Sequence, residues 1–481
     1  MTTTAGAVRG SRRGDLLTWR GIPYTAPPVG PLRLRAPQPP QAWSGVRDAT
    51  RFGPQAPQKT RGPARLQPPM SEDCLTINVV APALPSAAPR PVMVFVHGGG
   101  YTIGSSRLGL YGGQALARRG DLVYVSMNYR LGALGYLDLT AWATPERPVE
   151  SNLGLRDQVA ALEWVRDNIA AFGGDPSQVT LFGESAGGNA VTTLMAVPAA
   201  RGLFARAIAE SPAAGSAVRR EDAQVAAARV IDAVGGPDRL FTADPMVLVE
   251  AADAELMSAV DAAPGTRTAA PVIDGELLPE HPIDAFEGGR AHRVPLVIGT
   301  NDREGMLFPR VWDILATTPE RIEGMFARND PGSRDRVVAA YPGYPAPDAA
   351  IDLGGDSVFW WPATQVAQAH ARTAPTYVYR YDYAPSLLRA LRFGATHGTE
   401  LFAVFGYGLG VLGALGGRRV LRAVSDRVQA HWLSVARTGA PLPSWPAYGD
   451  ARTTLVIDAV DRLEDDARRD RRLAWQGYRD R

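Results

Sequence analysis

The 481-residue chain has one cysteine, Cys74, one lysine, Lys59, and six histidines. A single thiol cannot close an internal disulfide, so a reducing, cytoplasmic setting is expected. No apolar run approaches the roughly 18 residues that a membrane span needs. The nearest, GYGLGVLGALGG at 406–417, is too short. The N-terminus, MTTTAGAVRGSRRGD, carries arginines but no apolar stretch behind them, which argues against a secretory signal. A formal net charge of +2 supplies no basic field for nucleic acid. The scarcity of lysine reads as the codon bias of a GC-rich genome, not as chemistry. What remains is an ordinary globular composition, 45% hydrophobic and 21% charged, with ample apolar material for a core.

Proline and glycine crowd the first 70 residues, as in a loop-heavy segment with short strands. Beyond them, apolar runs alternate with helical patterns. PVMVFVH (91–97), LVYVSMNY (122–129), VTLFG (179–183), ARAIAES (205–211), VPLVIGT (294–300) and PTYVYRYDY (375–383) read as strands buried on both faces of a parallel sheet. Leu155, Val159, Leu162, Val165, Ile169 and Phe172 recur at helical spacing, predicting one amphipathic helix closed by Gly173-Gly174. The alternation predicts a doubly wound α/β sheet in a single domain over 1–481. Residues 215–270 and 305–370 read as helical insertions forming a lid. The sequence leaves the oligomeric state open, and a monomer is compatible with it.

Residues 179–190, VTLFGESAGGNA, end a strand in a string of small residues around one hydroxyl. Ser185 could be a helix N-cap, accepting from a backbone N–H of the first turn. It could equally be a nucleophile on a strained strand-to-helix turn of GxSxG type. A serine hydroxyl at neutral pH needs a histidine base, itself oriented by a carboxylate. With the order serine, acid, histidine, His97 is excluded. His281 and His292 precede or abut the strand at 294–300, while His370 and His431 lie in helical patterns. His397 stands apart, in the small-residue loop FGATHGTE after a strand. The acid should follow VPLVIGT, where NDREG offers Asp302 and Glu304. The run VFVHGGGYTIGS places three glycines directly after a strand, where backbone N–H groups can face a substrate oxyanion. No GxxxxGK[ST] or GxGxxG pattern follows, so no phosphate-bearing cofactor is expected, and no metal.

Together these segments resemble the type-B carboxylesterases of the carboxylesterase/cholinesterase family. The likeness runs from TWRGIPYTAPPVGPLRLRAPQPPQAWSGVRDATRFGPQAPQ through SEDCLTINVV, HGGGYTIGS and VSMNYRLGALGY. It continues through NLGLRDQVAALEWVRDNIAAFGGDPSQVTLFGESAGG, GTNDREG and ATHGTELFAVFG. The resemblance implies the α/β-hydrolase fold, with a mostly parallel central sheet flanked by helices and helical insertions over the active site. It implies Ser185 as nucleophile, His397 as base and Glu304 as acid, since the family's acid directly precedes the glycine. It implies oxyanion donors from Gly99, Gly100 and Ala186, and a supporting role for Ser211 beside the acid. It also implies two structural ion pairs, Arg33 with Glu72 and Arg130 with Asp175.

Two departures from the family pattern bear on substrate. Where secreted members place the cysteine that pairs with Cys74, this chain has Ala56, so Cys74 is expected to be a free, buried thiol. The interval KTRGPARLQPPM (59–70) has no aromatic residue, so it offers no cation–π site for a choline ester. PAAGSAV, after Ser211, is free of bulky residues where the family shapes its acyl pocket, which implies a roomy acyl site. The expected activity is hydrolysis of small neutral aryl and alkyl esters of short to medium chain through an acyl-enzyme, without cofactor or metal. The alternatives are a carbamate or anilide hydrolase with the same triad, and a non-catalytic adhesion protein of the same family.

Overall fold

The computed structural model describes residues 1–60, 68–266, 268–413 and 417–479. Eleven strands form the main sheet: β1 (Ser11–Arg13), β2 (Leu16–Pro23), β3 (Thr76–Pro82), β4 (Arg90–Val96), β5 (Val123–Met127), β6 (Gly174–Glu184), β7 (Arg206–Glu210), β8 (Leu296–Asn301), β9 (Thr376–Tyr381), β10 (Thr453–Ile457) and β11 (Arg462–Asp465). Their spatial order is β11-β10-β9-β8-β7-β6-β4-β5-β3-β2-β1. From β5 to β10 every neighbouring pair is parallel, and the pairs beyond both ends are antiparallel.

The continuous apolar runs are explained by cover on both faces. Along β4, Val94 and Val96 enter one core and Met93 and Phe95 the other; β6 does the same with Leu181 and Phe182. Complete burial of such side chains contributes about 1.5–3 kcal/mol each. One face is covered in part by the Leu153–Asn168 helix, through Leu155, Leu162 and Val165. The other is covered by the Arg418–Thr438 helix, through Leu421, Val424, Val428 and Trp432. The predicted apolar stripe is buried, but the α-helix stops at Asn168. Ile169–Phe172 forms a 3₁₀ turn closed by Gly173 at φ 83°, so Ile169 and Phe172 reach the core from a tighter turn.

Parallel pairing aligns the strand ends that matter. Val96 is in register with Gly183, Glu184 with Glu210, and Asn301 with Tyr381. The chain therefore leaves β4, β6, β7, β8 and β9 along one edge of the sheet, the carboxyl edge at which open α/β sheets place their ligands. The predicted insertions are helical. Arg220–Val234 and Pro245–Ala262 lie in the first, and Pro319–Asn329, Pro347–Gly355 and Trp361–His370 in the second. No helix among the described residues is long and apolar enough to cross a membrane. Residues 61–67 of the 59–70 interval and 414–416 of the 406–417 run lie outside the described residues.

Candidate active site

Ser185 sits between β6 and the Ala186–Leu194 helix at φ 61°, ψ −123°, a conformation disfavoured for a residue with a Cβ. The surrounding fold holds it there: its N–H donates to the Glu210 carbonyl at 2.9 Å, and its own carbonyl accepts from Asn189 N–H at 2.8 Å. The small neighbours are a packing requirement. A Cβ at Gly187 would come within 2.1 Å of the Val96 carbonyl oxygen, because the helix starts hard against the end of β4. Its side chain caps no N–H of the helix, so the N-cap role is not what places the serine there.

His397 Nε2 lies 2.8 Å from Ser185 Oγ, and its Nδ1 lies 2.6 Å from Glu304 Oε2. Glu304 stands just after β8, buried, with Oε1 accepting the Asn301 N–H at 2.6 Å. Asp302, the other candidate acid, faces away: its carboxylate pairs with Arg468 at 2.8 Å. The remaining histidines serve the fold. His97 is buried and stacks on Tyr129 at 4.4 Å, with burial lowering it to about 4. His370 contacts the Val294 carbonyl, His281 and His431 each accept from a backbone N–H, and His292 packs near Phe204.

The N–H groups of Gly99, Gly100 and Ala186 have no acceptor among the described residues, and all three residues line the same cavity as Ser185. Gly99, at φ 116°, allows the loop to turn back on itself, since a Cβ there would meet the Ile103 carbonyl oxygen at 2.0 Å. The cavity is about 510 Å³. Ala213 and Ser216 line it after β7, where the sequence has no bulky residue. Phe308, Trp312 and Phe359 close in from the second insertion, so the space is bounded by residues far from Ser211. Phe359 and Phe308 also pack on the His397 ring, at 4.3 and 5.2 Å.

Two expected contacts are different in the structure. The Ser211 hydroxyl does not hydrogen-bond Glu304; it donates to Glu400 Oε1 at 2.6 Å and accepts from Asn301 Nδ2 at 3.1 Å. Both Glu304 oxygens are already engaged by Asn301 N–H and His397, so any support from Ser211 passes through Asn301 and Glu400. Arg130 pairs with Asp157, not Asp175, by Nε–Oδ2 at 2.8 Å and Nη2–Oδ1 at 2.7 Å. Asp157 is on the buried face of the Leu153–Asn168 helix, whereas Asp175 closes a local turn with Ser177 and Gln178. Arg33 does pair with Glu72, with Nε–Oε1 at 2.6 Å. Cys74 is free and fully buried, and burial raises its thiol pKa.

Sequence reasoning passed over the carboxylates packed around His397. Glu184 Oε1 is 3.4 Å from His397 Nε2 and accepts no hydrogen bond among the described residues. Burial pushes Glu184 up to about 8, with His397 opposing and Glu400 and Glu304 adding to the rise. Glu400 is likewise pushed up, to about 7, by burial and the charge of Glu304. Burial alone would lower His397, but Glu184 and Glu304 outweigh it and raise it to about 9. Glu184 and Glu400 both stand inside the quoted motifs GESAGG and ATHGTE; the available signal was an acid directly beside a nucleophile or base at a buried strand end. No group of three or more His, Cys, Asp or Glu side chains placed to hold a metal occurs among the described residues.

The sequence profile of the carboxylesterase family matches residues 1–331 and 345–472. The para-nitrobenzyl esterase of Bacillus subtilis (strain 168) is 38% identical over 490 residues, covering 98% of this chain and 97% of that protein. The phenmedipham hydrolase of Pseudarthrobacter oxydans is 34% identical over 481 residues, 95% of this chain and 94% of that one. A solved PNB esterase structure superposes with a TM-score of 0.88 at 37% identity, over 98% of each chain.

Proposed function

For a chain that belongs to the carboxylesterase family, has the α/β-hydrolase fold and is a serine hydrolase of carboxylic esters, we propose that Ser185, His397 and Glu304 form the catalytic triad. The observation that carries this reading is the unbroken hydrogen-bonded line Ser185 Oγ–His397 Nε2 and His397 Nδ1–Glu304 Oε2 on the wall of an apolar cavity. Ser185 Oγ attacks the ester carbonyl carbon while His397 Nε2 takes the hydroxyl proton. The carbonyl π pair moves onto oxygen, where the N–H groups of Gly99, Gly100 and Ala186 stabilise it. Collapse of this intermediate expels the alcohol, protonated by His397, and leaves an ester of Ser185. Water then repeats the cycle and releases the acid. Glu304 keeps the imidazole in the tautomer and orientation that the transfer needs.

The substrates proposed are neutral aryl and alkyl esters of short to medium acyl chain. Ala213 and Ser216 leave room beside Ser185, and apolar walls discriminate weakly, about 1–3 kcal/mol per methylene. The 215–270 and 305–370 insertions are proposed as a lid on a single catalytic domain, and a cytoplasmic location fits the free Cys74. The test is a series of p-nitrophenyl esters of graded acyl length with the matched aryl carbamate. Turnover across several short and medium acyl groups, faster than that of the carbamate, is expected. Selective turnover of the carbamate would replace this reading with a carbamate hydrolase.

A further inference from the structure

Arginines in this fold commonly meet a carboxylate, as Arg33, Arg130, Arg321, Arg380 and Arg468 do. One concavity departs from that habit. A cavity of about 460 Å³ is lined by four arginines, Arg303, Arg310, Arg389 and Arg392, and by one acidic residue, Asp348. Of the four, only Arg303 has an ion pair among the described residues, with Asp352 at 3.0 Å. Arg310 donates to the Leu391 carbonyl at 2.9 Å and lies over the Phe393 ring at 4.7 Å, contacts that leave its charge uncompensated. Arg389 and Arg392 are exposed and have no ion pair among the described residues, and neither has Asp348. Like charges gathered in a concave wall repel one another and focus a positive potential into the space between them. The guanidinium fork matches carboxylate and phosphate oxygens in paired hydrogen bonds.

The basin shares its walls with the active site. Arg310 is next to Val311, Arg389 follows Leu388, and Arg392 precedes Phe393; Val311, Leu388 and Phe393 line the cavity of Ser185. Arg303 directly precedes Glu304, and its N–H donates to the Ala395 carbonyl at 3.0 Å, two residues before His397. The same two segments thus present an apolar face to the reacting ester and a cationic face to the basin.

We propose that the Arg303–Arg310–Arg389–Arg392 basin is a binding site for an oxyanion ligand, a carboxylate or phosphate. The anion arrives either as a free small molecule or as a charged tail of the ester being cleaved. The binding claim stands apart from the triad; only the tail version rests on the function proposed above.

Titration calorimetry of citrate and of inorganic phosphate into the full chain tests the site without using activity. Saturable 1:1 binding of at least one of them is expected. It should weaken at least about tenfold in the R389Q/R392Q variant, which loses two charge-assisted contacts. It should survive in R12Q/R13Q, which removes equal charge from β1, the edge strand at the end of the sheet. An R389K/R392K variant keeps the charge without the fork and should bind with intermediate strength. Absence of saturable binding to the wild type, or equal loss in the basin and edge-strand variants, overturns the proposal. The source is read from a p-nitrophenyl ester whose acyl chain ends in carboxylate, beside its carboxamide match. A tenfold preference for the carboxylate that disappears in R389Q/R392Q identifies a substrate tail. Citrate or phosphate binding without that preference identifies a free anion. If neither ester is hydrolysed while the anion still binds, the ester specificity proposed above fails and the basin stands.

Discussion

Glu184 Oε1 lies 3.4 Å from His397 Nε2, the same nitrogen that faces Ser185 Oγ at 2.8 Å. One imidazole edge therefore answers to both the hydroxyl and a buried carboxylate. The carboxylates stabilise the imidazolium, so His397 keeps its proton to higher pH than a free histidine does. A base must be neutral to accept a proton, so kcat/KM should be low in acid and rise with a midpoint above the ordinary 6.5, towards about 9. Glu184→Gln removes one source of that rise and should move the acid limb to lower pH. An unmoved or upward-shifted limb would show that Glu184 does not set the base.

Glu304 and Asp302 are two residues apart, yet only Glu304 reaches the imidazole. Glu304→Gln should cost on the order of 10⁴-fold in kcat, the effect of losing the orienting carboxylate in a related triad. Asp302→Asn disturbs the contact with Arg468 and should alter kcat only modestly. Steady-state kinetics of the two variants decides, and a reversed order would transfer the acid to Asp302.

The Arg130–Asp157 pair is almost fully shielded, with side-chain exposures of 4% and 0%. Asp157→Asn leaves Arg130 buried without its counter-charge and should destabilise the fold by about 3–5 kcal/mol. Asp175→Asn acts at the half-buried start of β6, where its hydrogen bonds are local, and should cost far less, about 0.5 kcal/mol. Chemical denaturation of both variants measures the difference.

Cys74 lies in the core with no disulfide partner. Reductant should leave the melting curve unchanged. A thiol reagent should modify Cys74 only on unfolding, because the group is shielded and its pKa is raised. Modification of the native protein at a rate near that of a free thiol would contradict its burial.

The strands and the local elements that carry the site were legible in the sequence because each is written in contiguous residues. Apolar runs buried on both faces marked β4 to β9, and glycines marked the two turns that abut them. The interrupted helix at Ile169 was not legible, since a 3₁₀ turn keeps nearly the same apolar spacing. Asp157 escaped because a buried acid on a helix looks like any helical carboxylate until the partner's position is known. The same holds for Ser211 and Glu400, which sit 189 positions apart and meet only because the Glu400–Phe405 helix, after β9, packs against the end of β7. Contacts of that range are set by the tertiary arrangement, not by local pattern. The walls contributed by Phe308, Trp312 and Phe359 belong to the same class.

In the proposed cycle Ser185 forms the covalent intermediate, and that intermediate can be trapped. An organophosphonate ester that mimics the tetrahedral intermediate should add once to the wild-type chain. Peptide mapping by mass spectrometry should place the adduct on Ser185. Ser185→Ala should take up no label and lose about 10⁴-fold or more in kcat while keeping the wild-type melting curve. An adduct on another residue, or undiminished labelling of Ser185→Ala, would contradict the assignment.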